Sequence, residues 1–123
     1  IQVCNELEVG FVQAHGGISN NEKFSAINTF SNDPKCRVFI GHPGSLGIGV
    51  NLTCATYNIS FSRNFSLEHF IQAQSRSHRG GQKNTVVWIN LVTPDSIDEV
   101  VLKALSNKEA IGEKLLKNIG SKI

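Results

Sequence analysis

The chain has 123 residues, 40% of them hydrophobic, which suits one packed domain over residues 1–123 and leaves too little for two. Charged residues make up 18% and the formal net charge is only +2, which excludes a nucleic-acid binder that works through overall basicity. Cys4, Cys36 and Cys54 are odd in number and far apart, with no Cys-x-x-Cys pair or histidine at zinc-ligand spacing, so buried reduced thiols are expected, and neither a disulfide framework nor a metal site.

In chain order, residues 1–9 read as the tail of a helix closed by Gly10, followed by a short strand over 11–14. Ser19 to Glu22 has capping-box spacing, and Phe24, Ile27 and Phe30 recur every three residues until Asn32-Asp33-Pro34 stops the helix. A buried strand is predicted over 36–40. It runs into a glycine-rich loop over 41–49.

A further strand is predicted over 56–61, and Ser66 opens a helix that carries Arg76 and Arg79. Residues 85–92 form the clearest strand. Ser96 and Glu99 have the spacing of a second capping box, and Val100, Val101, Ala104, Leu105 and Lys108 then follow helical spacing. Strand and helix alternate with short connections, which predicts an α/β fold with a parallel sheet flanked by helices and ligands bound beyond the carboxyl ends of the strands. No long apolar run, signal peptide or lipidation motif occurs, so an intracellular, cytoplasmic protein without membrane attachment is expected. The chain opens at Ile1, not at methionine, as a fragment of a longer protein would.

The most informative segment is residues 72–82, QAQSRSHRGGQ. At about 100° per residue a helix there sets Gln72, Arg76 and Arg79 within a stripe roughly 60° wide, with Ala73 at its flank and Phe70 and Ser77 on the far side. No acidic residue lies between Glu68 and Asp95. Arginine presents a planar fork of donors with a permanent charge, which suits phosphate oxygens. A solvated basic face is the plainer reading on spacing alone, and a tight crossover is the plainer reading of the glycine loop.

Other chemistries find no complete set of residues. No Gly-x4-Gly-Lys-Ser/Thr occurs, Pro43 stands where a nucleophile elbow needs its first glycine, and Gly47-Ile48-Gly49 lacks the third glycine of a dinucleotide fingerprint. His15, His42, His69 and His78 have no evident carboxylate or metal partner and read as surface or packed residues. Asp95, Asp98 and Glu99 are explained by helix capping.

Order and spacing then point to a family. Gln72-Ala73-x-x-Arg76-x-His78-Arg79-x-Gly81-Gln82 resembles motif VI of the C-terminal helicase domain of superfamily 2 ATPases, in the Swi/Snf-like branch, with each fixed position present. Residues 47–53, GIGVNLT, resemble motif V. Phe61-x-x-x-Phe65-Ser66 is similar to the aromatic element before motif VI. His15-Gly16 and the helix to Phe30, then Leu91-Val92-Thr93, Ile97-Asp98-Glu99 and Lys108, extend the likeness over nearly the whole chain. Leu46, His42-Pro43, Lys23 and Gly80 depart from the branch's usual residues, and Gly80 is expected to loosen the end of the arginine helix.

The resemblance implies a RecA-like second domain whose partner is an N-terminal RecA-like domain holding the phosphate loop, with ATP and Mg²⁺ in the cleft between them. It implies Arg79 as the primary arginine finger, Arg76 as its partner and Gln72 as an aligning residue. Gly47, Gly49 and Asn51 are implied at the ATP and domain interface, and Gly16, Ser45 and Lys83 on nucleic acid. The expected function is half of an ATP-dependent DNA translocase or helicase, acting on DNA, duplex by branch likeness, without sequence preference and inactive alone. The alternative is a non-catalytic module that binds nucleic acid or protein. The compact ending suggests a bacterial or phage source.

Overall fold

A computed structural model describes residues 1–46, 50–62 and 65–120 of the chain. A short helix, α1 (Gln2–Glu6), leads into strand β1 (Gly10–Ala14). The helix stops at Glu6, before Gly10, which opens the strand instead; its backbone lies against the Lys35 carbonyl, and a Cβ there would collide with it. Helix α2 (Asn20–Asn32) begins with the predicted capping box: the Glu22 amide donates to Ser19 Oγ at 3.2 Å, and the Ser19 amide donates to Glu22 Oε2 at 2.7 Å. Hydrogen bonding from Ser19 to the Glu22 carboxyl, from its backbone amide first and its side chain second, holds that carboxyl below its ordinary pKa.

Strand β2 (Cys36–Gly41) pairs in parallel with β1 through the α2 crossover, and one turn of 3-10 helix (Pro43–Ser45) follows. Strand β3 (Tyr57–Ser60), helix α3 (Leu67–Ser77) and strand β4 (Val87–Asn90) repeat the same unit, with β3 and β4 parallel in the register Asn58 to Trp88. The parallel α/β architecture is therefore as expected. Among the described residues the parallel strands form two two-stranded sheets, β1 with β2 and β3 with β4.

Helix α4 (Ile97–Gly120) ends the described chain. The second predicted capping box does not form. Ser96 Oγ instead accepts from the Asp98 amide at 3.1 Å and donates to the Thr93 carbonyl at 2.6 Å, while the Asp98 carboxylate accepts from the Thr93 amide at 3.1 Å. Asp98 thus takes the part expected of Glu99, because Asp95 adopts a positive φ of 55° and turns the preceding loop back onto the helix start.

Among the described residues the fully covered apolar positions are few: Ala14, Ala26, Cys36, Val101 and Leu105. Of the three free cysteines Cys36 is buried, Cys4 half-buried and Cys54 exposed, so the expectation of buried thiols holds for one. Tyr57 and Ile59 on β3, with Val87 and Ile89 opposite them on β4, face water. Lys108 Nζ reaches across from α4 to donate to the Phe65 carbonyl at 2.7 Å, tying α4 to the entry of α3.

Candidate functional site

The carboxyl ends of β1 and β2 lie side by side, and the backbone that leaves them builds one half of the site. The His42 amide donates to the Ala14 carbonyl at 3.3 Å, so the two strand exits stay together. His15 accepts from the Gly17 amide through Nδ1 at 3.0 Å, which curls the first exit. In the second, Ser45 Oγ and His42 Nδ1 lie 3.5 Å apart. A Cβ placed on Gly16 would stand 3.5 Å from Ser45 Oγ. Gly16 and Ser45 are therefore neighbours, as a shared ligand would require. The turn that carries Ser45 also packs on α3, and the His42 and His69 rings both approach Gly44.

The other half is the arginine segment. Ser66 caps α3, its Oγ accepting from the His69 amide at 3.3 Å, as its position predicts. The helix ends at Ser77 with His78 as its cap, before either glycine of the pair that follows. Gly81, at φ +96°, is the glycine of the pair whose backbone needs that residue. Arg79 consequently lies beyond the helix, and the single stripe predicted for Gln72, Arg76 and Arg79 is not formed. The two arginines occupy different environments. Arg79 is exposed, whereas Arg76 is only 6% exposed, and burial pushes its pKa down from the ordinary arginine value. Gln72 is half-buried and donates to Glu68 Oε1 at 3.1 Å, one turn back on the same helix.

The segment over 50–55 runs beside the end of α3 and is fastened to it. The Leu52 amide donates to the Arg76 carbonyl at 2.9 Å. Gln82 Nε2 donates to the carbonyls of Thr53 at 2.8 Å and Ser77 at 3.0 Å, and lies 3.5 Å from that of Ala55. Gln82 Oε1 accepts from the Asn84 amide at 3.1 Å. Asn51 is exposed, and its Oδ1 accepts from the Thr53 amide at 3.0 Å. Gly47 and Gly49, expected at the interface, lie outside the described residues. Lys83 is exposed on the loop before β4, on a different element from Gly16 and Ser45.

Comparison with known families gives the family of the chain. The model of the helicase conserved C-terminal domain matches residues 1–81. The chain belongs to the helicase C-terminal family. Its RecA-like fold has solved counterparts. The C-terminal part of the Fun30 ATPase domain superposes with a TM-score of 0.77 at 32% identity, over 85% of this chain and 33% of that one. The Sulfolobus solfataricus SWI2/SNF2 ATPase core in complex with dsDNA superposes with a TM-score of 0.61 at 28% identity, over 89% and 22%. Lymphoid-specific helicase of Homo sapiens is 31% identical over 92% of this chain, of which the chain spans only 13%.

The helicase C-terminal domain described here is thus of the Swi/Snf-like type. The curated relatives that it matches include proteins of Homo sapiens, Saccharomyces cerevisiae, Schizosaccharomyces pombe, Arabidopsis thaliana and Mus musculus. All are eukaryotes, and the expectation of a bacterial or phage source is not supported. Gln82 has no assigned role at the sequence level, although it stands at the end of the segment that resembles motif VI. Its fixed place in that motif was the available signal, but an uncharged amide suggests no chemistry until its partners are known.

Proposed function

We propose that this domain is the second half of the ATPase core of a DNA translocase or helicase, paired with an N-terminal RecA-like domain in the same protein. It delivers Arg79 to a nucleotide held mainly by that partner domain. The observation that carries this reading is the contrast between the two arginines. Arg79 stands at the surface beyond the end of α3, where a closing cleft can reach it, while Arg76 is enclosed at the helix terminus behind it. Arg76 then serves as the nearer anchor of the finger, and Gln72 and Asn51 border the cleft.

The residues present fit a nucleotide in part. An exposed guanidinium matches the charge of a phosphate. Among the described residues no group of three or more His, Cys, Asp or Glu is placed to hold a metal ion. In this reading the protein ligands for Mg²⁺ belong to the partner domain, since Mg²⁺ beside a nucleotide needs only one or two carboxylates together with the phosphates and waters. ATP with Mg²⁺ supplies the phosphoryl group whose transfer spreads negative charge over the γ-phosphate oxygens. The work of this chain is to place a fixed positive charge beside those oxygens when the domains close, and to withdraw it when they open.

The exits of β1 and β2 provide a second contact. Gly16 brings backbone close to Ser45, and this pair, with Lys83, is assigned to the phosphate backbone of DNA, a contact that fixes position without reading sequence. Duplex DNA is the favoured form, in keeping with the dsDNA bound by the Sulfolobus relative. No helix among the described residues is long and apolar enough to cross a membrane.

The test is reconstitution. The domain alone is expected to show no ATP turnover, and the domain joined to its phosphate-loop partner is expected to show turnover stimulated by duplex DNA. Turnover by the domain alone would contradict the half-site reading. A joined protein that binds DNA but never hydrolyses ATP would leave the non-catalytic module as the answer.

A further inference from the structure

We propose that Gln82 is a positioning residue for ATP hydrolysis, the connector that holds the 50–55 segment and the arginine segment in one arrangement. This rests on the reading of Arg79 as the finger. Gln82 lies three residues after Arg79, and its own amide donates back to the Arg79 carbonyl at 3.1 Å, closing the turn that presents the arginine. Its side chain bonds to three separate stretches of chain. The carbonyls of Thr53 and Ser77 accept from Nε2, and the Asn84 amide donates to Oε1. The orientation of the side-chain amide is fixed by these partners, since only an NH₂ can face carbonyl oxygens and only an oxygen can face a backbone N–H.

No other residue type of this size does the same. Glutamate would set a carboxylate against the Thr53 and Ser77 carbonyls, methionine has no donor, and asparagine is one methylene short. The consequence concerns coupling. Thr53 belongs to the segment beginning at Asn51, and Ser77 ends α3 next to the buried Arg76. A shift of the 50–55 segment is therefore transmitted through Gln82, and through the parallel bond from the Leu52 amide to the Arg76 carbonyl, to the turn that holds Arg79. A displacement of about 1 Å at a reacting group can cost on the order of 100-fold in rate.

The test measures DNA-stimulated ATP hydrolysis by the complete protein carrying Gln82→Met, Arg79→Ala, or both. Gln82→Met keeps the bulk and removes the hydrogen bonds. Its kcat with saturating duplex DNA is expected to fall about 10- to 100-fold, with the KM for ATP and the Kd for DNA unchanged. Because Gln82 acts through Arg79, the double variant is expected to be no slower than Arg79→Ala alone. A normal kcat for Gln82→Met, or fully additive losses in the double variant, would overturn the connector. A normal kcat for Arg79→Ala would instead overturn the finger reading itself. If Gln82→Met does not fold, Gln82→Glu, which retains the acceptor for the Asn84 amide and lacks the donors, is judged by the same two criteria.

Discussion

Ser77 is wholly enclosed, and among the described residues its hydroxyl has no hydrogen-bond partner. Enclosing an unsatisfied polar group costs about 1–3 kcal/mol, so Ser77→Ala is expected to stabilise the domain by about 1 kcal/mol and to raise its thermal unfolding midpoint by a few degrees. A lowered midpoint would mean that the hydroxyl is bonded after all. The neighbouring Arg76 illustrates what residue types alone could not reveal. A helical wheel places Ser77 toward the core and Arg76 toward solvent, yet both are buried. The wheel treats α3 as an isolated cylinder, whereas its last turn is met by chain distant in sequence, the Leu52 amide donating to the Arg76 carbonyl. Such long-range covering has no local periodicity to announce it.

At the scale of elements, helix starts were legible where the cap is local and less so where the loop before it bends. The Ser19 and Glu22 pair reads directly from spacing and forms as read. The Ser96 and Glu99 pair has the same spacing, but the positive φ at Asp95 brings Asp98 to the loop instead. Strand positions were also legible, while their boundaries shrank: the run over 85–92 yields only four strand residues, because β3 opposite it has only four to pair with. For the first cap, Ser19→Ala is expected to cost about 1 kcal/mol in thermal or denaturant unfolding. Glu22 adds a pH dependence. Its carboxyl is held below its ordinary pKa in the folded chain, so the ionised form is favoured by folding. That contribution is complete above the ordinary carboxylate pKa and disappears as pH falls through the lower, folded value. The stability gap between the parent chain and Glu22→Gln should therefore close on acidification across that interval, and a gap that widens would contradict the cap.

For the molecule as a whole, the alternation of strands and helices was enough to predict a parallel α/β fold, and motifs V and VI were enough to predict the family. The separation of the two arginines was not, because it depends on where α3 stops. The helix ends at Ser77 and leaves Arg79 on a turn shaped by Gly81, so the proposed finger is carried by a loop fastened to the domain and not by a rigid helix face. A loop so placed can approach and leave a nucleotide as two domains close and open, which is how hydrolysis would be linked to movement along DNA. The central claim is that Arg79 supplies charge to a reaction centred outside this chain. Its most direct test is the kcat for DNA-stimulated ATP hydrolysis by the complete protein with Arg79→Ala. A fall of about 10³-fold or more, with DNA binding retained, is predicted. Unchanged turnover would contradict it.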